Sequence, residues 1–542
     1  IIMSRSEDLF KWRTMKVPKR SGFNKSYQNL FTMPVGTLTP LLCDEVIPNT
    51  RVNLTALISA NLPPLASSTF MRCRICSEAF FVPMRILYGG FQSWYTQEQI
   101  YDTTTSTYKI PVLPRFQLSA SSSSLVTILG PGSLADYLGF KFTNADLASI
   151  AQGSSTFEFN IFPFLAYHRI YDDFYRNSQV TKPLFSRPFS GATPSLAAMP
   201  YQAYSTAPSA SAITSFASGQ GNLFTLRQRN FDIDYFTSAT PSAQQGNAQK
   251  VTVVSNEFTI ASLRAANSLQ LMLERANLAG FRLTDYVKAN FGAYLSDGQA
   301  QRPIYLGSGS FDVYSKGIYQ NNNNNTTATG SGLNNPFSKS VGAEYGSAFA
   351  GGKLNLIDDF TVSEPGYIFV MISLVPHATY STGVLKQNLR LISSSSPAEM
   401  GFPSLQNMGN EPIFLAELDA YDAFINAQHV FGYTDRFASY MCREDELHGL
   451  LRDGESLQSF ALQRTASGTA YPISTGFLEI PKTFLDQVAA ASAGVSGYGA
   501  WVDSYLDYRI TMPLHQYSTP SLQDPAEEHG TTIRVQRGGS RL

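Results

Sequence analysis

The stretch 72-RCRICSEAFFVPMRILYGGFQSWYT-96 decides how this chain is read. Its first half alternates with the period of a β-strand: Cys73, Ile75, Ala79 and Phe81 share one face, while Arg72, Arg74, Cys76 and Glu78 share the other. Pro83 has no N–H to give a ladder and ends the strand. The second half, broken by Gly89 and Gly90, carries Tyr88, Phe91, Trp94 and Tyr95 with almost no charge. Such a segment packs either beneath a loop of its own chain or against a neighbouring subunit. On the second reading these four aromatics are the expected inter-subunit packing residues. The two thiols of Cys73 and Cys76 point to opposite faces of the strand and cannot chelate one ion, and no second CxxC exists, so no metal site is expected. Four cysteines in 542 residues form no disulfide framework and suit a reducing cytosol.

Strand patterns recur at both ends of the chain. VGTLTPLLCDEVIPNTRVNLTALI (35–58) reads as two strands broken by Pro48 and Asn49. EPGYIFVMISLVPHATYS (364–381), LEIPKTFLDQV (478–488), VDSYLDYRITMPLHQYS (502–518) and TTIRVQR (531–537) are further strands. Helical signals lie between. SLADYLG (133–139) offers an N-cap, an acid three residues on and a closing glycine; residues 259–279 carry an apolar stripe of Ala266, Leu269, Leu273 and Ala276; and Thr284 to Phe291 makes a shorter helix before Gly292. Two segments rich in Ser, Ala, Gly and Asn, 186–222 and 320–352, read as surface loops. The layout is mainly β: an eight-stranded antiparallel jelly roll pairing N-terminal with C-terminal strands, with long helical and loop insertions. The expected organisation is a basic arm at 1–30, a jelly-roll domain at 31–525 and a basic tail at 526–542. Within the domain come a loop and helix excursion over about 95–250, helices at 259–292 and a low-complexity surface loop at 311–360.

Charged residues make up only 15% of the chain and aromatics 13%, so either little surface is exposed or much of it meets partners. The net charge is −1, yet residues 1–25 hold seven bases against two acids, and the last thirteen residues carry three arginines and no acid. Two basic ends on a neutral body raise the expectation of a polyanion partner. The candidate nucleic-acid-binding residues are Arg5, Lys11, Trp12, Arg13, Lys16, Lys19, Arg20, Lys25, Arg534, Arg537 and Arg541. The bases would neutralise phosphate and Trp12 would stack on unpaired bases.

Catalytic patterns are weak. Glu444, Asp445 and Glu446 with His448 read as a solvated acidic turn. Asp232 and Asp234, two apart, share a strand face and suit ion pairs with arginines or, with help from carbonyls, a Ca²⁺ ion, the ion-pair role being favoured. Neither a nucleophile elbow nor an HxxxH pair occurs, so no enzyme, catalytic residue, metal or cofactor is expected. The longest apolar run is far too short for a transmembrane helix, so no membrane insertion is expected. The alternative class is a secreted β-sandwich carbohydrate-binding protein or glycosidase, which would require a paired-carboxylate cleft.

Eight blocks, in order, resemble the major capsid protein of the Microviridae, closest to the gokushovirus-like branch. They are FTMPVGTLTPLLCDEVIPNTRVNL (31–54), FFVPMRILYGGFQSWYT (80–96), FPFLAYHRIYDDFYRN (162–177), LRQRNFDIDYFTSATPSAQQG (226–246), IASLRAANSLQLMLERANLAGFRLTDYVKANFG (260–292), AQRPIYLGSGS (300–310), FGYTDRFASY (431–440) and YRITMPLHQYSTPSL (508–522). The resemblance implies a single-jelly-roll coat protein, one copy per icosahedral asymmetric unit of a T=1 shell, assembled through pentamers around a circular single-stranded DNA phage genome. It also implies a virion built in the bacterial host cytoplasm. Its implied partners are a small basic DNA-binding protein, a scaffolding protein, a pilot protein and a host surface receptor. The branch commonly carries a large insertion between the YFTS block and the following helix. Here only Asn247 to Phe258 fill that gap, which argues against a mushroom-like protrusion built there.

Overall fold

A computed structural model describes residues 12–17, 19–66, 69–102, 106–110, 113, 115–119, 129–150, 156–184, 223–243, 260–279, 283–320, 344–390, 401–426, 429–465, 472–489, 499–514 and 531–536. The main strands, numbered in chain order, are β1 (Trp12–Val17), β2 (Ser21–Asn24), β3 (Tyr27–Met33), β4 (Thr39–Val46), β5 (Arg51–Asn61), β6 (Cys73–Pro83), β7 (Ile304–Gln320), β8 (Glu344–Thr361), β9 (Gly366–Pro376), β10 (Ala500–Met512) and β11 (Thr531–Gln536).

Nine of them, β2 to β10, form one antiparallel sheet that curls back on itself. One half runs β3–β10–β5–β8, with β2 also on the edge of β10; the other runs β4–β9–β6–β7. The tips of β7 and β8 pair with each other from Tyr314/Phe349 to Gln320/Glu344 and join the halves. The order interleaves early and late strands, which is the jelly-roll topology expected from the sequence. Two insertions leave this frame. Residues 84–303 connect β6 to β7, and residues 377–499 connect β9 to β10.

Two cores account for the strand patterns. Between the half-sheets lie Val52, Leu54, Ile58, Ile75, Ala79, Phe81, Ile368, Val370, Val502 and Leu506. Outside the second half-sheet, Phe80, Val82, Phe369 and Met371 pack against Phe162, Phe164, Leu165 and Tyr167 of the helix Phe162–Ile170. Strands β6 and β9 are therefore apolar on both faces, and β9 is buried along its whole length. Double-sided burial explains the unbroken run IFVMISLV, since alternation is needed only where one face meets water. On the first half-sheet the alternation survives: β5 and β10 each show buried and more exposed residues in turn.

Several expectations are corrected. The arm at 1–30 is not irregular throughout, because Ser21–Asn24 and Tyr27–Met33 are strands of the sheet. The surface loop at 311–360 is largely two long strands, and only 321–343 lie outside the described residues. The glycines there have a different purpose from the one their number suggests. A Cβ at Gly307 would run into the carbonyl oxygen of Leu356, and at Gly309, Gly351 and Gly352 it would crowd Leu354, Phe349 and Phe311. Gly307, Gly309 and Gly352 admit neighbours from another strand, and Gly351 leaves room for a ring of its own strand, rather than breaking strands. Residues 478–488 hold a short 3-10 turn at Phe484–Gln487 instead of a strand, although Ile480, Leu485 and Val488 are buried. Their apolar spacing serves single-residue anchoring into the core.

The helical expectations hold at Ser133, whose Oγ accepts from the Asp136 amide at 3.3 Å, and over Ile260–Ala279 and Leu283–Phe291, the latter followed by Gly292 at φ +67°. The loop expected at 186–222 and the gap at Asn247 to Phe258 lie outside the described residues.

Candidate nucleic-acid interface and assembly surfaces

The two basic ends meet. Strand β1 pairs antiparallel with β11, setting Trp12 opposite Gln536, Arg13 opposite Val535, Thr14 opposite Arg534 and Lys16 opposite Thr532. The ladder brings Trp12, Arg13, Lys16 and Arg534 onto one two-stranded ribbon. Lys19 and Arg20 are exposed between this ribbon and β2, and Arg20 donates to the Asn49 side chain. Lys25 is differently placed: its Nζ contacts Asp44 at 2.5 Å and lies 5.6 Å from the centre of the Tyr508 ring, so its charge is held within the chain. Arg5, Lys11, Arg537 and Arg541 lie outside the described residues.

The four aromatics expected at a subunit interface divide. Tyr88 and Phe91 are buried in the chain's own second core, only 5% and 4% exposed, because the insertion 84–303 folds over them. Phe91 sits edge-on to Phe162, and Tyr95 stacks on Phe91 with ring centres 5.6 Å apart. Trp94 is half-buried and Tyr95 exposed, so of the four they alone present surface to another molecule.

Other apolar surface stands open, and of the apolar stripe expected here Leu269 is among the exposed residues. On the helix Ile260–Ala279, Ile260, Leu263, Leu269, Leu271 and Met272 are exposed, as are Phe291 and Tyr294 further along the chain. A helix with this much exposed aliphatic surface carries more than a lone soluble domain ordinarily shows.

The long insertions are held by buried polar groups that sequence reasoning did not pair. Arg229 Nη1 donates to Glu78 Oε1 at 2.6 Å, and Tyr175 donates to the other Glu78 oxygen at 3.1 Å. Arg227 Nε donates to His168 Nδ1 at 3.2 Å, which makes His168 Nε2 the proton-bearing nitrogen; it donates to the Leu223 carbonyl at 2.7 Å. Burial holds His168 well below the ordinary imidazole range, and the Arg227 charge adds to this. The two aspartates read as ion-pair formers take separate roles. Asp232 meets Arg74 at 2.5 Å, whereas Asp234 accepts from the amides of Phe236 and Thr237 and from the Tyr380 hydroxyl. They are not on a strand.

An open cleft of about 700 Å³ lies between residues 380–388 and 439–448. On its wall Lys386 faces Glu411 and Glu417 at 3.7 and 3.5 Å, and Glu417 accepts from Tyr235 at 3.0 Å. The expected acidic turn is engaged rather than simply solvated. Glu444 accepts from the Tyr235 amide at 2.7 Å, and Asp445 meets Arg72 and His377 at 3.1 and 3.0 Å. Among the described residues no group of three or more His, Cys, Asp or Glu side chains could hold a metal ion. No helix among them is long and apolar enough to cross a membrane.

Known proteins resemble this chain along nearly its whole length. A family described as Capsid protein (F protein) matches residues 13–257 and 253–522. The chain belongs to the capsid protein (F protein) family. Two curated relatives agree. Capsid protein VP1 of Bdellovibrio phage phiMH2K is 23% identical over 93% of this chain and 95% of its own length. Capsid protein VP1 of Chlamydia phage 1 is also 23% identical, over 95% of this chain and 98% of its own length. Membership makes this capsid protein a structural component of a virion.

Proposed function

We propose that this chain is the major coat protein of a small icosahedral phage, gathering in pentamers and closing into a shell around a circular single-stranded DNA genome. The observation that carries the genome side of this reading is the β1–β11 ribbon, which concentrates Arg13, Lys16 and Arg534 at one place. Positive charge there would neutralise phosphate without sequence preference and with strong salt dependence. The exposed aliphatic residues of the helix Ile260–Ala279, together with Tyr95, support the shell side, since closed symmetry lets copies cover surface that a monomer leaves wet. Within this reading the shell assembles in the host cytoplasm. A small basic DNA-binding protein, a scaffolding protein and a pilot protein act with it, and exposed loops meet the host receptor.

The test is removal of residues 4–20. The jelly roll, whose strands begin at Ser21, should still fold by circular dichroism, while electron microscopy and nucleic-acid content should show shells that form poorly or hold less DNA. Normal DNA-filled particles from the truncated chain would refute the role of the ribbon. A full-length protein that remains monomeric in size-exclusion chromatography and forms no particle would refute the coat reading itself.

A further inference from the structure

The open cleft between residues 380–388 and 439–448, about 700 Å³ in volume, has charges that do not balance. Its two sides are joined where the Tyr380 amide donates to the Asp445 carbonyl at 2.9 Å and the Leu447 amide to the Tyr380 carbonyl at 3.1 Å. Some of its charges are matched. Arg443 and His448 both turn onto Glu446, at 3.3 and 3.1 Å. Arg464 donates to the Tyr380 hydroxyl, which donates to Asp234, so this base and acid balance each other through one phenol. Two negative charges are left over. Lys386 stands between Glu411 and Glu417, one ammonium against two carboxylates. Glu444 accepts from the Tyr235 amide at 2.7 Å and forms no ion pair among the described residues. Tyr235 links the two places, since its hydroxyl donates to Glu417 at 3.0 Å. Burial holds both carboxyls above their ordinary range, against the pull of Lys386 at Glu417 and with the help of Asp234 at Glu444. Ser381 also lines the cleft. It is only 6% exposed, and its hydroxyl has no hydrogen-bond partner among the described residues.

We infer that this cleft binds an aliphatic diamine or polyamine, with one primary ammonium on Glu444 and another on the Glu417 side. The site belongs to the single chain and stands whether or not copies assemble. Three observations favour that chemistry. First, the two uncompensated charges lie at opposite ends of Tyr235, one at its amide and one at its hydroxyl. A compact cation reaches one of them; a flexible chain with an ammonium at each end reaches both. Among the described residues no three His, Cys, Asp or Glu side chains converge as a metal ion needs. Second, the lining includes Phe236, Val384, Leu385 and Leu447, which suit methylenes rather than a hydrated ion. Third, an ammonium brings three donors, enough to serve a carboxylate and the unpartnered Ser381 hydroxyl together. The remaining base of the lining, Arg452, is exposed and donates through Nε to the Ser381 carbonyl at 2.8 Å. Water and salt screen it more than they screen the half-buried Glu444. A lysine side chain from a protein carries the same group but only one of them, so it answers half of the charge.

Isothermal titration calorimetry of putrescine on the full folded chain tests this, beside butylamine and the peptide Gly-Lys-Gly-Lys-Gly. Butylamine should bind at least about tenfold more weakly than putrescine, as expected for losing one charged hydrogen-bonded contact. Glu444→Gln, close in shape and uncharged, should weaken putrescine by at least about tenfold for the same reason. Cys442 gives a readout on the unaltered chain, independent of any variant's folding. It is exposed and lines the cleft, so bound putrescine should slow its alkylation by N-ethylmaleimide several-fold, and sodium chloride at matched ionic strength should not. Three results would each overturn the proposal: unchanged putrescine affinity in the Glu444→Gln chain, butylamine binding as tightly as putrescine, or Cys442 labelling indifferent to putrescine. Tighter binding by the lysine peptide than by putrescine would overturn it in favour of a protein segment. Particle formation enters none of these readouts, so failure of the coat reading leaves the test intact.

Discussion

Arg229 reaches Glu78 across 2.6 Å, and this pair fastens a segment of the first long insertion to the middle of strand β6. Glu78 and Arg74 are the two charged, incompletely buried members of a strand otherwise buried on both faces, and Tyr175 occupies the second oxygen of Glu78. The Arg229 and Glu78 side chains are 19% and 13% exposed, so removing one partner strands a charge in a poorly solvated place. Arg229→Ala should therefore destabilise the chain by about 3–5 kcal/mol, read from chemical unfolding. The double variant Arg229→Met with Glu78→Gln should lose distinctly less. Equal losses in the single and double variants would show that the pair is not coupled.

Gly307 faces a backbone atom, the carbonyl oxygen of Leu356, which cannot swing aside as a side chain can. Gly307→Ala should cost about 1–3 kcal/mol through overpacking where β7 and β8 approach each other. Gly22, also in a strand, has nothing near its missing Cβ, and Gly22→Ala should stay within about 0.5 kcal/mol of the parent. Thermal unfolding of the two variants side by side checks the contrast.

Buried ionisable groups give the stability a two-sided pH dependence. Burial keeps His168 neutral in the folded chain while the unfolded chain protonates at its ordinary value of 6.5. Its contribution is therefore full above that value and is lost as pH falls below it. Glu479 behaves in the opposite sense. Burial raises its carboxyl above the ordinary 4.5, so its contribution is full below 4.5 and is lost as pH rises through the raised value. Glu479→Gln, which keeps an acceptor for the Tyr171 hydroxyl, should raise the melting temperature at neutral pH and flatten the profile above the ordinary carboxyl value of 4.5. His168→Gln should flatten it below pH 6.5. A parent-like profile in either variant would refute the assignment for that residue.

The four thiols should separate by access. Cys442 is exposed, Cys43 half-buried, and Cys73 and Cys76 buried. N-ethylmaleimide on the folded, unassembled chain should modify Cys442 first, with Cys73 and Cys76 reacting only on unfolding; peptide mass spectrometry would show early labelling of either as a failure of the strand assignment.

What the sequence disclosed follows from how local each signal is. Alternation along 72–82 places β6 and sorts its two thiols onto opposite faces, because strand periodicity is written in consecutive residues. The Ser133 cap and the helix Ile260–Ala279 are legible for the same reason. The glycines of β7 and β8 suggest a loop because their real reason lies across the sheet, in Leu354, Phe311 and the Leu356 carbonyl. Tyr88 and Phe91 carry a true apolar signal, but composition cannot tell a neighbour's surface from a fold-back of the same chain. The basic ends are plain in the sequence, yet their pairing joins residues more than five hundred positions apart, and no local pattern encodes that.

The position of β10 has a consequence for biosynthesis. It lies between β3 and β5, yet it leaves the ribosome roughly 440 residues after Asn61, on the order of 20–90 s later at ordinary translation rates. Until then both flanking strands wait with unpaired amides and carbonyls along the slot that β10 will fill. The nascent polypeptide is consequently most prone to cross-pairing with its siblings just before synthesis ends, and any helper that shields that gap would govern how much usable protein a cell yields.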